Sequence, residues 1–561
     1  MRERLVHLLV IVTFGTIFYI NSFGNFFVWN DWTLIIENFL IKDWWNLPEI
    51  FTSAFWKPLL GEPAQVYRPV FFLSFITDFS LWRLNPWGYH LTNTLLHVLN
   101  SVLVYFLMRR YVTPSTALIG SVLFAAHPIH TEAVTYISGR TDLLVSFFLL
   151  SGVLLFLQGE KRGSKLLYLS SLPLFFLSLL SKETAVIFPL LLVVAHLTAY
   201  PSSLRRNRLR WIALHIGSLA TLGLYLILRQ FFVGITLSDY ALASPDFVPY
   251  LLLVLKAIPL YLGLLLFPFN LHFIHRVDLY TSLLDIQLVL AILLLMGTGW
   301  GLRRALRSDN QAVVFAVLWF FIGLLPLVYL TGLGLPLLEG WIYLPSLGFF
   351  LLVALALSKL QFWTRSRIHI WVTLLIAVLL GSLTFKRNWD WKDEMRISLH
   401  TIEASADDPL ALRLRGDAYV RRGKTPEAEK LFQKGLLYAP DDPRLNESLG
   451  WLFGFMGTDP DALTHYHRII DLTPKEPYPY WLIGRYYRRK GELAEAEKYL
   501  AEAVRLFPYS SELRNNLATV YFFQEKFDAA EAALRAAMKI LPYSPILQDN
   551  LEKVLTKIQT Q

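Results

Sequence analysis

The chain has 561 residues, too many for one domain, with 55% hydrophobic residues, 52 Lys and Arg against 43 Asp and Glu, and no Cys. The lack of Cys excludes disulfides, thiolate metal sites and Cys nucleophiles. The net charge of +9 does not point to nucleic acid, because the basic residues gather in short loops between apolar runs: Arg109-Arg110, Lys161-Arg162, Arg205 to Arg210, Arg303 to Arg307 and Arg365 to Arg367. Such clustering is the positive-inside signal of a polytopic membrane protein.

The N-terminus, Arg2-Glu3-Arg4 followed by Leu5 to Phe23, reads as an uncleaved first span, since no small-residue cleavage site follows. Spans need roughly 17–25 apolar residues. Further candidates are 89–108, 115–134, 141–158, 166–181, 183–199, 210–231, 286–302, 312–332, 341–358 and 369–385. The run 250–268 is flawed by Pro249, Lys256, Pro259 and Pro268, and is taken as re-entrant or surface-lying because this keeps every basic cluster on one side. About eleven spans with the N-terminus inside then put everything after residue 385 on the non-cytoplasmic face: periplasm, cell exterior or lumen, with a bacterial inner membrane favoured. The expected organisation is a membrane domain over 1–385, a linker over 386–408 and a charged, helix-forming domain over 409–561.

The loop 24–88 falls outside. Its density of aromatics (Trp29, Trp32, Trp44, Trp45, Phe51, Phe55, Trp56) suits a helix pair at the headgroup level, against membrane lipids. Asp31, within Phe26-Phe27-Val28-Trp29-Asn30-Asp31-Trp32, is either a solvated carboxylate, an N-cap for an apolar helix over Thr33–Leu40, or a general base beside a lipid-borne substrate. His127, His130 and Glu132 flank the next outer loop; by residue type they could bind a divalent ion, or the rings could bond to backbone or phosphate after Pro128 breaks the helix. Arg140 and Asp142 stand two apart at a helix start, as a local pair or with Arg140 clamping a phosphate leaving group. Lys182 and Glu183 sit at an outer turn and Glu339 at the outer start of the tenth span. Carboxylates, cations and histidines at membrane depth are costly and mark a functional site by default. No Gly-rich phosphate loop of the Walker type occurs, so a nucleotide-driven pump has no support.

The last third keeps a period. Pro440, Pro474, Pro508 and Pro542 are 34 residues apart, as are Gly416, Gly450, Gly484 and Ala518, and Ala428, Ala462, Ala496 and Ala530. Small residues at these places let two antiparallel helices approach, and Pro ends the second helix of each pair. The period is that of a tetratricopeptide array, about four repeats over 409–542 with a closing helix after Pro545. First helices of such repeats line a concave groove, which makes Tyr486, Tyr487, Asn515 and Asn516 candidate contacts for a protein or peptide acceptor.

Five stretches then occur in order: Phe27-Val28-Trp29-Asn30-Asp31, His127 to Val134, Ser138-Gly139-Arg140-Thr141-Asp142-Leu143-Leu144, Leu180-Ser181-Lys182-Glu183-Thr184 and Tyr343-Leu344-Pro345-Ser346. Together with the array they resemble the transmembrane-and-tetratricopeptide O-mannosyltransferase family, within the GT-C class of lipid-sugar-dependent glycosyltransferases. The resemblance implies an all-α fold, a polytopic helical GT-C-like domain followed by a tetratricopeptide α-solenoid. It also implies inverting transfer of a sugar from a polyprenyl-phosphate donor to a Ser or Thr hydroxyl of a protein on the outer or luminal face. No cofactor is firmly implied, and a divalent metal is left open. Of the family's acidic pair in the first loop only the second acid is present, with Asn30 before Asp31. The family's Glu-Arg-Tyr falls on Glu339, Gly340 and Trp341, so its Arg is absent and Arg140 or Lys182 would have to serve instead. Other readings are a transferase acting on a glycan or lipid acceptor, a non-enzymatic scaffold and a transporter. One span would suffice for a scaffold's anchor, and a transporter's two matching halves of broken helices are not seen.

Overall fold

The computed structural model describes residues 2–52, 67–201, 208–233, 247–275, 277, 285–327, 337–364, 368–404, 406–456, 459–508, 510–540 and 544–560. These are helical almost throughout; the described residues form no strand, only an isolated antiparallel bridge between His275 and Leu337. Phe55, Trp56, Pro542 and the basic clusters at 205–207 and 365–367 lie outside the described residues. The chain divides into two units, one of residues 1–32 and 66–397, the other of 33–65 and 398–561.

The first unit is a set of apolar helices: α1 (Arg2–Ile17), α2 (Pro69–Trp82), α3 (Pro86–Met108), α4 (Pro114–Ala126), α5 (Thr131–Thr135), α6 (Arg140–Arg162), α7 (Ser171–Leu179), α8 (Phe188–Ala199), α9 (Arg208–Val233), α10 (Phe247–Leu266), α11 (Ile286–Arg307), α12 (Gln311–Leu324), α13 (Ser346–Thr364) and α14 (Ile368–Arg387). Their ends follow local chemistry. Pro86 and Pro114 open α3 and α4 at positions where a missing N–H costs nothing. Before them Asn85 and Thr113 accept from Trp87 N and Thr116 N. Gly163, at φ +64, closes α6 in a left-handed turn.

Among the described residues, six helical stretches are long and apolar enough to cross a membrane: Arg2–Gly24, Pro86–Met108, Ile137–Arg162, Ile212–Phe232, Ile286–Arg307 and Ile370–Arg387. A seventh results if Pro114–Ala126 and Pro128–Thr135, bent by 51° at the break, make one crossing. The expected spans at 166–181, 183–199, 312–332 and 341–358 fall on shorter apolar helices, as does the run at 250–268, so among the described residues length and composition support six or seven crossings and do not confirm eleven. Lys256, inside that last run, is buried and paired with Asp285 at 2.8 Å, which offsets the charge of a residue that flawed the run. The helices differ in depth. In Ile137–Arg162 61% of the apolar window is buried by protein, in Ile286–Arg307 only 11%. Exposed Leu293, Met296 and Trp300 on the latter need lipid to cover them. The protein is an integral membrane protein with α3 and α6 at its centre.

The expected helix pair in loop 24–88 takes another form. Its first half breaks into short turns at Phe39–Lys42 and Trp44–Asn46 and a six-residue helix at Leu47–Thr52. Asn38 and Asp43 accept backbone N–H groups here, diverting the backbone from a longer helix. Residues 53–66 lie outside the described residues, and Pro69–Trp82 is the regular helix α2.

In the second unit α15 (Glu394–Ala404) leads into the helix pairs α16 (Pro409–Val420) with α17 (Thr425–Tyr438), α18 (Pro443–Met456) with α19 (Asp459–Leu472), α20 (Pro477–Lys490) with α21 (Leu493–Leu506) and α22 (Ser511–Phe523) with α23 (Phe527–Ile540), closed by α24 (Pro545–Thr560). The periodic positions are the packing contacts. Ala428, Ala462, Ala496 and Ala530 are all fully buried. A Cβ on Gly484 would lie 2.6 Å from Leu500 Cγ, and one on Gly416 2.2 Å from Phe432 Cε1, so these sites need a missing side chain for the two helices to touch.

Candidate active site

Asp31 sits at the end of a tight turn after the first span. Its backbone N–H donates to Val28 O at 3.0 Å, and Trp29 takes φ +51, a left-handed conformation that costs a bulky residue about 1–3 kcal/mol. Ring contacts hold Trp29 there, with Phe273 at 4.5 Å and Tyr136 at 5.8 Å between centroids. The Asp31 carboxylate is wholly buried. It accepts from Val28 N at 3.0 Å and from Ser138 at both the backbone N, 2.9 Å, and the hydroxyl. It is therefore neither a solvated loop acid nor a cap: Trp32–Ile36 forms a π-helical turn, and Asp31 is turned away from it onto Ser138. Burial pushes the Asp31 carboxyl up to about 7, against the pull of its hydrogen bonds and of the Arg140 charge.

The segment that presents Ser138 is fixed from several sides. Asn93, in the middle of α3, donates to the carbonyls of Val134, Tyr136 and Ile137. Asn388, beyond α14, accepts from Thr135 and donates to Phe18 O and Asn21. A Cβ on Gly139 would lie 2.3 Å from Glu132 O, so only glycine lets this chain fold back on itself.

Arg140 is corrected in both of its expected roles. Residues two apart on a helix point to different sides, so it does not pair with Asp142. Its side chain is wholly buried and spent: Asp78 at 2.5 Å, Asn93 Oδ1 at 2.6 Å, Tyr89 O at 3.0 Å and Ser74, with the Phe75 ring 4.8 Å below. No donor is left for a phosphate. Asp78 went unnoticed in the sequence, although a single carboxylate in the apolar run of α2 was a signal.

The three proposed metal ligands do not converge. His127 Nδ1 accepts from Ile129 N and its Nε2 meets Leu265 O; His130 meets Phe124 O and Ser346 Oγ. Both rings thus secure the bend after α4. Glu132 accepts from Gly340 N at 3.0 Å. Among the described residues no group of three His, Asp or Glu is placed to hold a metal ion.

The remaining charges form pairs around the start of α6. Lys182 donates to Asp142 at 2.5 Å, Arg68 grips Glu183 at 2.8 and 3.0 Å, and Glu339 accepts from both Arg387 and His275 at 3.1 Å. Adjacent Lys182 and Glu183 thus serve different partners. Arg68, Arg387 and His275 were missed because nothing in their local sequence names a carboxylate more than sixty residues away in two cases or nearly fifty in the third. Burial alone would raise Glu339, but Arg387 and His275 hold it below the usual carboxylate range. Gly340, where the family motif carries Arg, lies between two acids: its missing Cβ would be 3.2 Å from Asp142 and 3.3 Å from Glu132. A cleft opens there, lined by Asp142, Lys182, Thr184, Pro326, Trp341 and Pro345.

In the second unit Tyr487 stacks on Tyr499 within its helix pair, Asn515 bonds Asn550 and Asn516 bonds Glu512 O, while Tyr486 lines a surface pocket. Of the four acceptor candidates, Tyr486 is the one among the lining residues of that pocket.

Residues 69–226 match the family of dolichyl-phosphate-mannose-protein mannosyltransferases, and residues 413–477 and 477–542 match tetratricopeptide repeats. The chain resembles the protein O-mannosyl-transferases. One from Caenorhabditis elegans is 26% identical over 482 residues, covering 83% of this chain and 63% of that protein. TMTC3 of Homo sapiens is 26% identical over 510 residues, covering 84% and 56%. The chain thus spans little more than half the length of these relatives. A thermophilic tetratricopeptide protein of Thermus thermophilus aligns with 32% of the chain and 95% of its own at 18% identity, with a TM-score of 0.26. The stretches around His127 and Ser138 and Lys182 fall inside the matched mannosyltransferase region; Asp31 and Glu339 fall outside it.

Proposed function

We propose that this protein is a membrane glycosyltransferase that moves a sugar, mannose by resemblance, from a polyprenyl-phosphate donor to a Ser or Thr hydroxyl of a protein held by the repeat array, on the non-cytoplasmic face. The observation that carries the reading is Asp31: a carboxylate on a strained turn, fixed by three hydrogen bonds, with a proton affinity suited to a base near neutral pH. In the proposed step Asp31 takes the hydroxyl proton as the acceptor oxygen attacks the anomeric carbon. The bond from that carbon to the phosphate oxygen breaks, the anomeric configuration inverts and polyprenyl phosphate leaves. Since Asp31 is sealed by its turn, loading the acceptor requires residues 28–32 to open.

The leaving phosphate gathers negative charge and needs a fixed cation. Lys182 fits this part: it lines the cleft beside Gly340 and has Asp142 as its partner. Arg140 has no donor left for the phosphate, and Glu339, held ionised chiefly by the Arg387 charge, is a poor base. Apolar surface of the kind left exposed on the spans suits the lipid tail.

The test is transfer from a radiolabelled polyprenyl-phosphate sugar by purified protein. Wild type should label an acceptor and Asp31→Asn should not, with donor binding retained. Absence of any transfer or donor hydrolysis by wild type, with donors of several sugars, would favour a non-enzymatic scaffold. The face of action is tested separately: engineered Cys residues in 409–560 should react with a membrane-impermeant thiol reagent only from the non-cytoplasmic side.

A further inference from the structure

We infer that the third repeat carries a binding pocket for a carboxylate-bearing polypeptide segment, formed where α18 and α20 face the same opening. The inference rests on the array's proposed role as acceptor holder and names the chemistry of what it holds. Trp451, Tyr466, Leu482, Arg485, Tyr486 and Arg489 line the pocket.

Other basic side chains of the array pair with acids, among them Arg413 with Asp417, Arg468 with Asp441, Arg505 with Glu502, Lys526 with Glu497 and Arg535 with Glu531. Among the described residues neither Arg485 nor Arg489 is in an ion pair. The Arg485 guanidinium lies 4.4 Å over the Trp481 ring, and Arg489 donates only to Gly454 O, at 3.4 Å. The two stand four apart on one helix face, where like charges repel. Arg488 between them has a buried Nε without a hydrogen-bond partner, and burial together with the charges of Arg485 and Arg489 holds it below the usual guanidinium range. The acid within electrostatic reach of Arg485 does not relieve this: Glu512 feels its charge without bonding it.

An open pocket with two unpaired guanidinium forks and aromatic walls is complementary to an extended chain bearing Asp or Glu. The forks match carboxylates bidentately, and the rings of Trp451 and Tyr486 offer flat surface to the peptide between them. Trp451 is 48% exposed, a large apolar face in water that such a chain would cover.

The experiment is a binding titration on the full chain in lipid nanodiscs without any sugar donor. The probe is a fluorescent Ser/Thr-rich peptide with interspersed Asp and Glu, compared with its twin carrying Asn and Gln. The acidic peptide should bind at least about tenfold tighter, as one charged hydrogen bond is worth that much. Arg485→Gln with Arg489→Gln should erase the difference, the double Lys variant should restore part of it, and Arg535→Gln should leave it intact. Equal binding of the two peptides, or a difference that survives the double Gln variant, overturns the inference. So does capture of anionic phospholipid vesicles through the same arginines in place of peptide. Because no donor is present, a protein that binds the acidic peptide but transfers nothing breaks only the transferase reading.

Discussion

The two units handle charge in opposite ways. In the membrane unit the ionised side chains around α6 are buried and joined across long stretches of chain: Arg140 to Asp78, Arg68 to Glu183, Arg387 to Glu339. In the repeat unit most pairs are exposed and three or four residues apart, such as Arg505 with Glu502 and Arg535 with Glu531. The dielectric explains the difference. A charge within apolar surroundings is tolerated only with a partner, and breaking the pair leaves the other ion stranded. A surface pair in water contributes little. The repeat unit thus gets its shape from small residues at helix contacts, the membrane unit from polar contacts that cross it.

The membrane unit is most sensitive at Asp31. Asp31→Asn keeps size but not proton acceptance, so turnover should fall by about 10²- to 10⁴-fold with a near-native melting curve. The pH dependence carries its own sign. The base acts only when ionised, so wild-type activity should rise through about pH 7 and that rise should vanish from the residue of activity in the variant. Near-normal turnover in Asp31→Asn would move the base elsewhere, with Glu132 tested next.

Asp78→Ala should strand the wholly buried Arg140 and destabilise the membrane unit by about 3–5 kcal/mol, read as a drop in the thermal midpoint in detergent. Retained stability would mean that water reaches this pair. In the repeat unit, Gly484→Val should cost about 1–3 kcal/mol by pushing α20 from α21, while donor hydrolysis by the membrane unit persists. Lys182→Gln should raise the donor KM by about tenfold and change the melting point less than Asp78→Ala does. An equal effect on melting would make Lys182 structural. The smallest effect belongs to the exposed pair: Arg535→Ala should alter stability by under about 1 kcal/mol.

Parts of this molecule were legible at once. The 34-residue period located every helix pair of the array, because each repeat meets only its neighbours and the same small residue must recur at the same contact. The apolar runs located the membrane helices, though not how many cross, since a helix buried among others can be shorter than a bilayer is thick. Asp31 stood out by its place after the first span, and the polar stretches around His127, Ser138 and Lys182 by their cost in apolar surroundings. What each does was another matter. Arg140 and Asp142 are neighbours in sequence, yet one meets Asp78 and the other Lys182. His127 and His130 have the residue types of metal ligands, yet spend their rings on the bend after α4.

Sequence alone determined the class of each unit, the repeat period and the polar residues worth watching, because these depend on composition and on spacing along one helix. Tertiary structure decided the partners: Ser138 for Asp31, Asp78 for Arg140, Arg387 for Glu339, and Gly340 between Glu132 and Asp142. Those contacts join residues between about fifty and two hundred apart, and no local rule of helix geometry relates them. They follow from which helices pack together, and in an apolar interior each charge takes whatever partner that packing brings within reach.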